Sequence, residues 1–192
     1  MSMETRRVLV GLSGASGASL AVALLRELRE LPQVESHLVV SRCGALTLAQ
    51  ETGLSVDDLR ELADRVYDNG DLGAAPASGS FSTVGMAVIP CSMKTLAGIV
   101  TGYSDSLLLR CADVTLKERR RLVLVPRECP LSTLHLRNLC AASELGAVVV
   151  PPVPAYYSHP RTIEDVDRRV ALKVLQQLGL AGDLLPEWEG LA

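Results

Sequence analysis

Short aliphatic runs recur along this chain, and each stops at a glycine, serine or proline. Val8-Leu9-Val10-Gly11, residues 34–40, Met86-Ala87-Val88-Ile89-Pro90, residues 121–125 and residues 147–150 read as strands of this kind. A strand apolar at consecutive positions is buried on both faces, as in a parallel sheet sandwiched between helices. The intervening segments carry helical spacing. Over residues 17–31, Leu20, Ala23, Leu24 and Leu28 share one face. Helices are also expected over residues 45–51, 56–66, 92–101, 105–118, 131–145 and 163–178, the last opened by a Thr162/Asp165 capping box. Residues 68–82, rich in Gly, Ala, Ser and Asp, read as a surface excursion, and Pro151, Pro152 and Pro154 as a stiff connector. Repeated βα units imply an α/β fold with a doubly wound, mostly parallel sheet, Rossmann-like or flavodoxin-like. There is no internal repeat and no linker, so one domain is expected over residues 1–192, with a core over about 7–178 and a tail over 179–192.

Composition narrows the function classes. Aromatic residues make up 3% of the chain, so the core has to be aliphatic. The net charge of -3 offers no global basic field, which argues against nucleic acid but leaves room for a small anionic ligand. No apolar run approaches about 18 residues, so no membrane span is expected. The polar start, Met1 to Arg7, does not resemble a signal peptide. Cys43, Cys91, Cys111, Cys129 and Cys140 are odd in number and lack zinc-ligand spacing. Reduced thiols in a cytoplasmic protein without a metal site are expected.

In doubly wound sheets ligands bind beyond the carboxyl ends of the strands. The first strand runs into Gly11-Leu12-Ser13-Gly14-Ala15-Ser16-Gly17-Ala18. Its glycines lie three apart, which fits neither the dinucleotide fingerprint nor a Walker A loop. Small residues at a helix start let backbone amides approach an anion, and Ser13 and Ser16 add hydroxyls. A tight turn with no ligand is the plain alternative. The second strand ends at Ser41-Arg42, where NAD enzymes usually carry an acid. Serine beside arginine suits a phosphate better than a ribose diol, and points towards a mononucleotide such as FMN. Ser41 acting merely as a helix cap is the competing reading.

Four further segments follow in order: Pro90-Cys91-Ser92-Met93-Lys94-Thr95-Leu96-Ala97-Gly98-Ile99; Ala112-Asp113-Val114-Thr115-Leu116-Lys117-Glu118-Arg119-Arg120-Arg121; Leu124-Val125-Pro126-Arg127-Glu128-Cys129-Pro130-Leu131-Ser132; and Pro151-Pro152-Val153-Pro154-Ala155-Tyr156-Tyr157 with His159-Pro160. With the glycine-rich turn, they resemble the UbiX/Pad family of flavin prenyltransferases over about residues 7–178. The resemblance implies transfer of a dimethylallyl group from dimethylallyl phosphate to N5 and C6 of reduced FMN, without a metal. It also implies a homo-oligomer, usually a dodecamer, and a UbiD-type decarboxylase that receives the prenylated FMN. The family's FMN contacts fall on Gly14, Ala15, Ser16, Ser41, Ser92, Met93, Lys94, Thr95 and Arg127. Its prenyl-phosphate contacts fall on Tyr157 and Lys173, with Lys117, Glu128 and Glu51 nearby. Arginine is common in the family at the position of Lys173; lysine keeps the charge but loses the bidentate fork.

The chemistry gives these residue types work to do. A monophosphate leaving group carries about two negative charges near neutrality. Lys117, Arg127 and Lys173 can neutralise it, and Tyr157 can donate a hydroxyl. Glu128 is the candidate to protonate the phosphate or take the C6 proton, and Ser16 to relay protons near N5. Each residue also has an ordinary structural role open to it: a solvated basic helix end for residues 117–121, an ion pair for Arg127-Glu128, packing for the tyrosines, a surface site for Lys173. Cys91 reads as a buried small residue. Two other functions remain open: a flavoprotein cysteine decarboxylase of related fold, although its catalytic histidine and Asn-rich loop have no counterpart here, and an FMN carrier or subunit of an aromatic or unsaturated acid decarboxylase complex.

Overall fold

The computed structural model describes residues 5–181 together with Leu184 and Gly190. Met1 to Glu4 and most of the tail expected over 179–192 lie outside the described residues. Six strands form one parallel sheet: β1 (Arg6–Leu12), β2 (Val34–Val40), β3 (Arg65–Asp68), β4 (Gly85–Cys91), β5 (Arg121–Pro126) and β6 (Val148–Val149). Their order is β3-β2-β1-β4-β5-β6. The chain winds outward from β1 to β3, then returns to lay β4 on the other side of β1 and winds the opposite way. Loops leaving β1 and β4 therefore diverge and open a crevice between them, the topological switch point of a doubly wound sheet.

Among the described residues six helices cover the sheet: α1 (Ala18–Arg29), α2 (Arg42–Thr52), α3 (Met93–Thr101), α4 (Leu107–Lys117), α5 (Thr133–Glu144) and α6 (Ile163–Leu178). Alternate strand residues feed two aliphatic cores. Val8, Val10, Leu38, Ile89 and Val123 meet Leu24 and Leu25 of α1, Leu48 of α2 and Val174 and Leu175 of α6. Leu9, Val39, Met86, Val88 and Leu122 meet Leu96 of α3, Leu107 and Cys111 of α4 and Ala142 of α5. Each core is closed on a strand face that is apolar at every second residue, so the strands read as continuous apolar runs.

The helix expected over residues 56–66 is not there. A short 3-10 turn at Asp58–Glu61 buries Leu59, and the chain then extends as the edge strand β3 beside β2. Val56, Leu59, Leu62 and Val66 have helical spacing, but the Asp64 carboxylate accepts hydrogen bonds from the Ser36 amide (2.7 Å) and hydroxyl (3.0 Å) on β2. These non-local bonds pin the segment to the sheet edge. The Thr162/Asp165 capping box at the start of α6 forms as expected.

Candidate functional site

The glycine-rich turn is stitched to the loop beyond β4 by a buried serine. Ser13 donates its hydroxyl to the Pro90 carbonyl (2.7 Å) and accepts the Ser92 amide (2.8 Å). It is thus a structural rivet of the crevice, and not the ligand donor expected from sequence. Gly14 is required by close approach: a Cβ there would lie 2.3 Å from the Cys43 Cβ at the start of α2. Gly17 ends the turn at φ 102°, in the left-handed region open to glycine.

The start of α1 holds a carboxylate from within the chain. One oxygen of Glu51, near the end of α2, accepts the amides of Gly17 (2.8 Å) and Ala18 (2.9 Å). These two amides are thus occupied by Glu51, and a second anion at them would meet a like charge. Partial burial opposes ionisation of Glu51. Hydrogen bonds from Ser16 and from the Ala18 and Gly17 amides, with the Arg127 charge nearby, outweigh it and hold the carboxyl below its ordinary value. Ser16 and Glu51 therefore meet at the mouth of the crevice, near enough to Arg127 for its charge to act on the carboxylate, although the three lie on different loops or helices.

The other cradle residues are helix starts. Ser41 caps α2 by accepting the Gly44 amide (3.0 Å). Ser92 caps α3 by accepting the Thr95 amide (3.2 Å), and its hydroxyl shares a 3.0 Å hydrogen bond with that of Thr95. Capping leaves the first amides of α3, those of Met93 and Lys94, at the positive end of the helix dipole beside the crevice. Arg127 enters on the strand side, its amide bonded to the Cys91 carbonyl (3.1 Å). Glu128 follows it, exposed, with one carboxylate oxygen accepting the Cys129 amide (3.0 Å). Cys91 lies fully buried, and burial pushes its thiol up to about 12, which removes it as a nucleophile. Small residues, two helix starts and one arginine around a switch-point crevice fit a mononucleotide carrying a single phosphate.

Tyr157 and Lys173 come together elsewhere, in a cavity of about 240 Å³ between the proline connector and α6. Lys173 donates to Gln176 (2.8 Å). Arg169, which the sequence reading passed over, shares this cavity: its guanidinium lies 5.6 Å from the Tyr157 ring centroid and 3.4 Å from the hydroxyl. A basic residue one helical turn before Lys173 was the available signal. A separate cleft of about 740 Å³ runs from Ser16 and Glu51 along α1 to Glu164, Asp167 and Arg168 of α6. Lys117 is brought to neither place. It ends α4, pairs with Glu118 and precedes β5, so it stands at the amino-terminal edge of the sheet while the crevice opens at the carboxyl edge.

Among the described residues no helix is long and apolar enough to cross a membrane, and no three His, Cys, Asp or Glu side chains cluster as metal ligands would.

The flavoprotein family model matches residues 1–169. A probable UbiX-like flavin prenyltransferase of Sedimentibacter hydroxybenzoicus is 50% identical over 184 residues, covering 96% of this chain and 97% of the relative. The structure of AnUbiX in complex with FMN and dimethylallyl pyrophosphate superposes with a TM-score of 0.93 at 46% identity, covering 98% of this chain and 100% of that one. A dodecameric FMN-dependent UbiX-like decarboxylase from Escherichia coli O157:H7 superposes with a TM-score of 0.91 at 54% identity, covering 96% and 100%. At about half identity and over nearly its whole length, the chain belongs to the UbiX-like flavin prenyltransferases of the flavoprotein family.

Proposed function

We propose that this protein transfers the dimethylallyl group of dimethylallyl phosphate to reduced FMN. The switch-point crevice, where Glu51 takes the Gly17 and Ala18 amides beside Ser16 within the field of Arg127, carries this reading. Gly14, Ala15, Ser41 and the α3 start from Ser92 to Thr95 are proposed to hold the flavin, with Arg127 and the α3 dipole facing its phosphate. Reduced FMN supplies the carbon and nitrogen nucleophiles when bound. The chain's own residues orient the allyl carbon and stabilise the phosphate that leaves with the electron pair of the broken C–O bond. Tyr157 and Lys173 are assigned to that phosphate. Glu128, whose second carboxylate oxygen takes no partner among the described residues, is assigned to proton transfer at the phosphate or at C6. Ser16, hydrogen-bonded to Glu51, is assigned to the proton traffic near N5.

Lys117 fits this chemistry only as a residue donated by a second copy of the chain, because β5 stands between it and Glu128. Exposed Leu134 and Leu136 on α5 and Leu131 just before it support such a homo-oligomer, for which the dodecameric relative is a precedent. The product is proposed to pass to a UbiD-type decarboxylase. Five free cysteines support a reducing, cytoplasmic setting.

The test is anaerobic incubation of the protein with reduced FMN and dimethylallyl phosphate, read by the mass of the flavin. A flavin heavier by one dimethylallyl group is expected. Tight FMN binding with unchanged flavin mass would instead make the protein a carrier.

A further inference from the structure

We propose that Arg169 is a phosphate-binding and positioning residue of the Tyr157 cavity, recognising the phosphate of the prenyl donor jointly with Lys173. This rests on the function proposed above and adds a residue to it.

Arg169 and Lys173 are four residues apart on α6, so both project from one face of the helix. Two like charges at this spacing destabilise a helix unless something of opposite sign lies between them. Both line a cavity of about 240 Å³ whose other walls are Val150, Pro151, Val153, Ala155, Val170, Gln176 and Tyr157. Among the described residues no carboxylate lines it. Among the described residues neither cation lies within ion-pair distance of an acid: Arg168, the preceding residue, takes Glu27, and Lys173 takes the neutral Gln176. A concave site with two cations, a phenol and no internal anion is built for an anion from outside. Its volume accommodates a phosphate, and its apolar wall of valine, proline and alanine accommodates a short alkyl chain.

Arg169 also contacts both the ring and the hydroxyl of Tyr157. The guanidinium sits over the ring and reaches the phenol oxygen with one nitrogen. Tyr157 is exposed on a short 3-10 turn. A planar fork that grips both the ring and an incoming phosphate would align the phenol donor with the same oxygens. Lys173, a point charge, cannot do both.

Arg169→Gln, Arg169→Lys and Lys173→Gln are compared with the wild-type protein by anaerobic steady-state prenylation, and by calorimetric titration of dimethylallyl phosphate into the FMN-loaded protein. Arg169→Gln is expected to raise KM and the dissociation constant for dimethylallyl phosphate about tenfold, as loss of one charge-assisted hydrogen bond does, with FMN affinity unchanged. Arg169→Lys is expected to recover part of the binding but leave kcat low, since charge returns without the grip on Tyr157. Wild-type KM and affinity in Arg169→Gln would overturn the assignment, as would an equal loss of FMN affinity, which would mark a merely structural role. If the wild-type protein forms no prenylated flavin, the proposed function fails, while the titration still decides the inference: phosphate-donor binding that depends on Arg169 upholds it, and binding indifferent to Arg169 overturns it.

Discussion

Glu51 shows how much one carboxylate can organise. It closes the start of α1 through two amides, takes a hydrogen bond from Ser16 and lies in the field of Arg127. Because its folded pKa is lowered from an ordinary 4.5, the folded chain binds its proton less readily than the unfolded chain does. Its contribution to stability is therefore fully present above 4.5 and is lost as pH falls through the lower folded value. Glu51→Ala should destabilise the protein by about 1 kcal/mol at pH 7, the usual cost of an unsatisfied helix start, and the difference from wild type should shrink in acid. Urea unfolding midpoints at pH 7 and pH 4 measure both effects. The same substitution should slow prenylation about 100-fold if Ser16 depends on Glu51 for proton traffic, while FMN still binds. The sequence drew attention to Glu51 through resemblance alone; its capping role depends on α2 folding back beside the glycine turn, and no local pattern announces that.

Elements were legible where the apolar pattern was local. Strands β1, β2, β4 and β5 fall close to their expected bounds because each is a run buried on both faces. The edge strand β3 was misread because its stabilising partners are distant: Asp64 finds Ser36, and Arg65 to Asp68 pair with His37 to Val40. An edge strand of four residues with one neighbour depends heavily on such pins. Asp64→Ala should leave the Ser36 amide and hydroxyl without their acceptor and cost about 1–2 kcal/mol. Hydrogen exchange should quicken selectively over residues 64–68, while the amides of β1 and β4 keep their protection. Equal loosening of β1 would mean that Asp64 supports the whole sheet and not its edge. Ser41 and Ser92 illustrate the same divide within the site. Their capping bonds are local and legible as such, but only the strand order brings the starts of α2 and α3 to one crevice.

At the scale of the molecule the candidate residues divide among places that one chain does not unite. Ser16, Glu51 and Arg127 are at the crevice, Tyr157 and Lys173 along α6, and Lys117 at the far edge of the sheet. The sequence offers no means of separating them, because Lys117 and Glu128 are only a strand apart along the chain. That strand is the reason they cannot meet: β5 runs from Arg121 to Pro126, and six extended residues span about 20 Å. If both residues act on one phosphate, they come from different copies. Lys117→Ala and Glu128→Gln chains should each be nearly inactive alone. Chains unfolded together and refolded as a mixture would then contain sites that draw an intact Lys117 from one copy and an intact Glu128 from another. With equal amounts and random assembly, about a quarter of the sites would be whole, so the mixture should recover about a quarter of wild-type prenylation. If both residues served one site from the same chain, every site would lack one of them, and the mixture would be no more active than its parts. Substituting Asp for exposed Leu134 on α5 offers an independent handle on the same assembly: a smaller species on gel filtration with FMN binding weakened and prenylation lost would tie the active site to contact between copies, whereas full turnover by a monomer would place Lys117 outside the chemistry altogether.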